Sequence, residues 1–340
     1  MKLSVLGISL LLLTSSCTIN NTNNSQSSSS LSTIDSIAIN NHFNGVIFVA
    51  KDSTIQYEKA FGYSDIDNKT KLKTKDQFYI GSISKQITAV LILREYEKGN
   101  LQLTDKLDKY FPEIKQPWAK QVTIHHLLTH THGILEIDKP LEFEVGTQFH
   151  YSQIGFGLLG QILEKINHKS FEKIATELFT QYGLKNTFHP DNKKYNNLVK
   201  GYEEDENGKL IYATGNPVKY IAGGGFISNA EDVLKWYRLL YSGKLVKTTT
   251  LDMMKTRYAT RNHPVFDKIE YGYGLLFLDG EQNTQIGAFG YAPGFPSAAY
   301  YYPKTHINLI VLENIGYNLD DFKKTFKTHT DLMKLIKKEK

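Results

Sequence analysis

The chain has 340 residues, 41% of them hydrophobic and 22% charged, with 21 Tyr and 18 Phe. That is ample material for a large core, so a wholly disordered chain is excluded, and the length fits one large or two interleaved domains. Lys and Arg outnumber Asp and Glu by 40 to 35, a net +5; seven Lys and four acids from Asp320 onward supply +3 of it, and the near-neutral remainder carries no footprint for nucleic acid.

Lys2 and the apolar run Leu3–Leu13 open the chain. The run is too short to span a bilayer and fits the core of a signal peptide. Thr14-Ser15-Ser16-Cys17 resembles a bacterial lipobox, in which the Cys is lipidated and becomes the new N-terminus, with Leu13 standing at the fourth position before Cys17. The expectation is a signal peptide over 1–17, export across the bacterial inner membrane, and a lipid anchor on Cys17. The anchored protein would face the periplasm or the cell exterior. An ordinary signal peptide with a Cys of no role is the alternative. Cys17 is the only cysteine, so the fold holds no disulfide, and no later segment is apolar enough to span a membrane. Residues 18–33 are a polar, Asn- and Ser-rich stretch that reads as a flexible tether ahead of a folded unit over 34–340.

Gly45–Ala50 and Ile55–Phe61 flank Lys51-Asp52-Ser53 and predict a β-hairpin. Strand-like Gln77–Ile80 leads into a helix over Ser82–Lys98, with Ile83, Ile87, Val90, Leu91 and Arg94 at helical spacing and Gly99 at its end. Residues from about 101 to 220 read as helix and loop, with helices over Ile124–Leu128, Gly155–Ile166 and Phe171–Leu178. Strands return at Gly272–Leu278, Ser297–Tyr302 and Ile307–Glu313, before a last amphipathic helix from about Asp320 that carries Phe322, Phe326, Met333 and Ile336. Strands at both ends of a helical middle predict an α+β fold, one sheet domain with a mostly helical insertion.

The sharpest chemistry is Gly81-Ser82-Ile83-Ser84-Lys85. Ser82 and Lys85 are three apart and share a helix face. At a helix start the unsatisfied N–H groups and positive dipole suit a serine that must become an alkoxide. The same positive end and desolvation between helices lower a lysine toward the range where it acts as a base. Ser84 is expected to face elsewhere and bond to the helix N-terminus. Ser-x-x-Lys alone is a weak motif; the segments around it add specificity.

Ile80–Gln86 resembles the active-site segment of class C β-lactamases, DD-carboxypeptidases and related serine esterases. Asn44–Gly62 resembles their opening hairpin, Val122–Gly133 their loop-helix segment, and Phe149–Gln153 with Gly155–Gly160 their Tyr-x-Asn region. Ala222–Asp232 is similar as well, and the likeness runs in order over about residues 34 to 315. It implies a β-lactamase-like fold, an antiparallel sheet flanked by helices. Ser82 would be the acylated nucleophile, Lys85 its proton partner, and Tyr151 the phenol that moves a proton at the leaving group. Gln153 stands in place of the usual Asn and is longer by a methylene. The strand motif of Lys or His, then a small residue, then Gly corresponds to Ala288-Phe289-Gly290. Gly290, Gly294 and Phe295 fit, and the backbone N–H of Tyr291 would complete an oxyanion hole with that of Ser82. Ala288 removes the cation or imidazole that would hold a substrate carboxylate, and Phe289 would add an apolar wall. Both changes predict a preference for neutral esters over penicillins and cephalosporins.

His125, His126, His130 and His132 have no Cys beside them and no His-Glu-x-x-His pattern, so they read as surface and loop residues rather than a metal site. Gly223-Gly224-Gly225 lacks the phosphate-loop and dinucleotide spacings, implies no cofactor, and predicts close backbone packing near the site. The expected protein is a serine hydrolase working through a Ser82 ester on small esters or on D-amino-acid, peptidoglycan-like amides. The alternative is a non-catalytic envelope protein that binds cell-wall or peptide ligands in the same cleft.

Overall fold

The computed structural model describes residues 32–213, 221–278 and 285–338; the signal segment, Cys17 and most of the expected tether lie outside them. Helix α1, over 32–40, takes in Ser32 and Thr33, which sequence composition assigns to the tether. Among the described residues no helix is long and apolar enough to cross a membrane.

Eight strands form one antiparallel sheet: β1 (Gly45–Lys51), β2 (Thr54–Phe61), β3 (Ala259–His263), β4 (Asp267–Tyr271), β5 (Leu276–Phe277), β6 (Ile286–Ala292), β7 (Phe295–Tyr302) and β8 (Ile307–Glu313). Their order is β2-β1-β8-β7-β6-β5-β4-β3, so the first and last strands of the sheet in chain order, β1 and β8, lie side by side, with Gly45 paired to Glu313. β1 and β8 are near-continuous apolar runs because both faces are covered. Val46, Phe48, Ile310 and Leu312 face the helical layer, whereas Ile47, Val49, Leu309 and Val311 face α1 and the C-terminal helix.

The helical layer holds α2 (Ser84–Glu97), α3 (Ile124–Thr129), α4 (Gln153–Asn167), α5 (Phe171–Gln181), α6 (Ile221–Gly224) and α7 (Ala230–Tyr241). α2 is buried on nearly every side, Lys85, Gln86 and Thr88 included, because it lies between the sheet and the other helices. The chain then adds α8 (Thr248–Lys255), the short α9 (Phe322–Thr325) and α10 (Lys327–Lys338). The predicted last helix is thus two pieces, with Phe326, Met333 and Ile336 buried against the sheet.

The fold is α+β with a large antiparallel sheet, as the sequence implies. Within 101–220 the chain also makes two short strands, Tyr202–Glu204 and Leu210–Tyr212. The strand expected over Gly272–Leu278 is reduced to Leu276–Phe277, and the hairpin of β3 and β4 precedes it. That hairpin is rich in polar residues, and its half-exposed alternation gives little apolar signal.

Candidate active site

Ser82 sits in a 3-10 turn, Gly81–Ile83, immediately before α2 rather than in the first turn of the α-helix. Gly81 has φ +50°, and a Cβ there would stand 2.5 Å from the Tyr291 backbone N. Only glycine permits that turn together with that approach. The i, i+3 spacing still brings Lys85 Nζ to 3.4 Å from Ser82 Oγ. Tyr151 Oη donates to the same Oγ at 2.6 Å.

Lys85 is 1% exposed. Its Nζ donates to Gln153 Oε1 at 3.0 Å and to the Gly223 carbonyl. It also lies 4.6 Å from the centre of the Tyr151 ring. Burial holds its pKa below the ordinary 10.5, against the raising effect of Tyr151 and with help from the charge of Arg261. When this amine is neutral, two hydrogens satisfy the carbonyls of Gln153 and Gly223, and the lone pair faces Ser82. A Cβ at Gly223 would meet Gln153 Oε1 at 2.2 Å, so the glycine leaves the Gln153 amide free to accept from Lys85. The glycine run thus packs backbone against the site, as its composition predicts.

Tyr151 is held from both flanks by one residue. His130, at φ +59° just past α3, accepts the Ser152 N–H on Nδ1 at 3.1 Å, and its carbonyl accepts the His150 N–H at 2.9 Å. Its ring lies 4.6 Å from the Tyr151 ring, and Nε2 is 3.2 Å from Tyr271 Oη. An acceptor Nδ1 leaves the proton on Nε2, which donates to Tyr271. Burial drives the His130 pKa well below its usual value, so the ring stays neutral beside Lys85. Ser152 then caps α4 by accepting the Gly155 N–H at 3.2 Å.

The histidines expected on the surface divide. His130 and His132 are buried at 0% and 1% exposure. His126 closes a capping box with Thr123 at the start of α3, and His125 Nδ1 lies 2.8 Å from Tyr273 Oη. Among the described residues no group of three His, Cys, Asp or Glu side chains is placed to hold a metal.

Ser84 does not cap its own helix. Its buried Oγ accepts the Phe226 N–H at 3.1 Å, tying α2 to the chain after α6. β6 passes directly behind the Ser82 turn. A Cβ at Gly290 would meet Ile80 O at 2.3 Å and Ser82 N at 2.9 Å, and Ser297 Oγ donates to Ile80 O at 3.0 Å. The β6–β7 turn is Pro293-Gly294, with Gly294 at φ +77°. Ala292 and Phe295 close this two-residue turn as a bonded pair, so the next pair, Tyr291 and Pro296, is non-bonded and the Tyr291 N–H points outward, on the side of the Ser82 turn. Tyr291 Oη donates to Glu203 at 2.6 Å, and Gly294 N–H donates to the same carboxylate at 3.2 Å, which fixes the turn.

Ala288 faces the helical layer and brings no charge of its own to that side. Phe289 points to the other face, where its ring meets Phe266 at 4.7 Å and Phe326 at 5.0 Å. The apolar wall expected from Phe289 is therefore absent from the Ser82 side, because strand alternation turns its side chain away. A cation that sequence reasoning missed stands nearby: Arg261 on β3, with Cζ 5.1 Å from the centre of the Tyr151 ring.

A buried lysine and a phenol converging on one serine hydroxyl, within this α+β fold, define a serine hydrolase of the β-lactamase, DD-peptidase and esterase type. The chain belongs to the Beta-lactamase family, whose model matches residues 33–332. It is 26% identical to a penicillin-binding protein of Bacillus subtilis over 320 residues, covering 80% of this chain and 68% of that one. The octameric penicillin-binding protein homologue of Pyrococcus abyssi superposes with a TM-score of 0.78 at 25% identity, over 90% of this chain and 77% of that one. A D-amino acid amidase of Ochrobactrum anthropi SV3, solved with D-phenylalanine, superposes at 0.77 with 19% identity, over 92% of this chain and 100% of that one, a likeness of fold alone.

Proposed function

We propose that the protein is an envelope serine hydrolase that transfers an acyl group to Ser82 and then to water. The observation that carries this reading is the pair of contacts on Ser82 Oγ, 2.6 Å from Tyr151 Oη and 3.4 Å from Lys85 Nζ, with the lysine buried. Neutral Lys85 takes the hydroxyl proton as Oγ attacks the acyl carbon. The N–H groups of Ser82 and Tyr291 hold the oxyanion of the tetrahedral intermediate. Tyr151 gives its proton to the leaving group and recovers one through Lys85. Water then attacks the ester, its proton returns through the same groups, and Ser82 is released. Gln153 and Gly290 border the acyl site.

The substrates proposed are small esters or D-amino-acid, peptidoglycan-like amides, a reading supported by the names of the penicillin-binding relatives and the amidase. Lipidation of Cys17 would place the enzyme at the envelope. A hydrolysis screen of short esters, D-amino-acid amides and β-lactams, run on the wild type and on Ser82→Ala, tests it. Turnover lost in Ser82→Ala supports the reading; turnover that survives the substitution refutes it, and a stable wild type inert to all three classes favours the non-catalytic binding protein.

A further inference from the structure

A second pocket, of about 300 Å³, opens at the opposite end of the sheet from Ser82 and is bordered by Arg238, Tyr301, Asn308, Asp52 and His306. On β7, Pro296 pairs with Tyr291 beside the Ser82 turn, and Tyr301 stands five residues further along. Strand rise alone therefore sets the two sites about 17 Å apart. Asn308 on β8 is only 3% exposed and pairs with Tyr301. Its Oδ1 is sealed in without a partner, and no described residue bonds to its Nδ2, which is left for the pocket. Arg238 on α7 is in a similar state. Nε and Nη2 are sealed in without partners, so Nη1 is the nitrogen left to reach a ligand. Among the described residues no carboxylate pairs with this side chain, and burial alone pulls its pKa below the usual arginine range. At the mouth, the Asp52 carboxylate is 65% exposed and lies 3.4 Å from His306 Nδ1. The half-buried Tyr301 ring is backed by Tyr241, stacked on it with centres 4.5 Å apart. A buried amide and a cation that both go unpaired weaken a fold unless something supplies their partners.

We propose that this pocket binds a free amino acid as its zwitterion. Arg238 Nη1 and Asn308 Nδ2 donate to the α-carboxylate, the Asp52 carboxylate accepts from the α-ammonium, and an apolar side chain lies against the Tyr301 ring. Two donors facing one anionic acceptor complement that ligand. A simple anion would also meet Asp52, and a simple cation would also meet Arg238, so a molecule carrying both charges fits better than either. The site is separate from Ser82 and does not depend on the hydrolase reading.

The test is titration calorimetry of the purified protein with L- or D-phenylalanine, whichever binds more tightly, and with two analogues that each lack one charge. These are 2-phenylethylamine, without the carboxylate, and 3-phenylpropionate, without the ammonium. Each analogue is expected to bind roughly ten- to a hundredfold more weakly than phenylalanine, the effect of one charge-assisted hydrogen bond. Arg238→Gln and Asp52→Asn are each expected to raise the Kd for phenylalanine by a similar factor, with thermal unfolding to show that the variants are folded. Asp52 has φ +50°, a conformation that Asn tolerates, so Asp52→Asn still decides should Arg238→Gln fail to fold. Phenylalanine that binds both variants as tightly as the wild type sits elsewhere, in the catalytic cleft or adventitiously, and overturns the proposal. So does 3-phenylpropionate or 2-phenylethylamine binding as tightly as phenylalanine, because the pocket would then read only one charge. No binding of either enantiomer to the folded wild type up to about 10 mM overturns it as well.

Discussion

Gly290→Ala is the sharpest small perturbation of the site. The added methyl would stand 2.3 Å from Ile80 O, 2.4 Å from Ser297 Oγ and 2.9 Å from Ser82 N. Two of those atoms are backbone, and Ser297 Oγ is itself bonded to Ile80 O at 3.0 Å, so none can swing aside. Ordinary carbon contacts lie near ~3.5–4.0 Å, so β6 must withdraw from the Ser82 turn by about 1 Å. A displacement of that size, or the loss of one oxyanion donor, costs on the order of 10²–10³ in kcat. Gly223→Ala is the comparison. Its Cβ meets the far end of the Gln153 amide at 2.2 Å, and that side chain can rotate, so the loss in kcat should be smaller. The assay is kcat on a neutral aryl ester, with thermal unfolding to show that each variant is folded. A folded Gly290→Ala that turns over at the wild-type rate would refute the placing of the oxyanion donors.

Three further outcomes follow from the same geometry. Neutral Lys85 is the active form and burial lowers its pKa, so kcat/KM should rise with pH along a limb lying below the ordinary lysine value of 10.5 and then level off; a rate that falls over that range contradicts the assignment. Ser84→Ala leaves the buried Phe226 N–H without its partner and should lower stability by about 1–3 kcal/mol in chemical denaturation while Ser82 still labels; an adduct that needs Ser84 would overturn the choice of nucleophile. Cys17→Ser should move the protein from the membrane to the soluble fraction on cell fractionation, and unchanged membrane association would sink the lipid anchor.

The parts of the site that share a local motif were legible in the sequence. Ser82 and Lys85 lie within one turn, and Tyr151 stands one residue before a capping serine. The β1–β2 hairpin was legible because its apolar runs flank a polar turn. What was not legible depends on tertiary placement. Arg261 and Tyr151 meet across 110 positions, through a polar hairpin that carries no apolar signal. The work of His130 depends on a left-handed residue past a short helix, where apolar periodicity says nothing about side-chain direction. The face of Phe289 is not legible, because a strand that reads Gly-Ala-Phe-Gly has too few large residues to set its alternation. Ser82 falls in a 3-10 turn because Gly81 enters it at positive φ, a backbone choice that helical spacing cannot reveal.

The proposed chemistry turns on acylation of Ser82 with the help of Lys85 and Tyr151. Intact-mass and peptide mass spectrometry after treatment with a fluorophosphonate measure it directly. A single adduct is expected on the peptide carrying Ser82, absent in Ser82→Ala and strongly slowed in Lys85→Ala and Tyr151→Phe. An adduct on Ser84 or another serine, or labelling of Ser82 at an undiminished rate in the lysine and tyrosine variants, would contradict it.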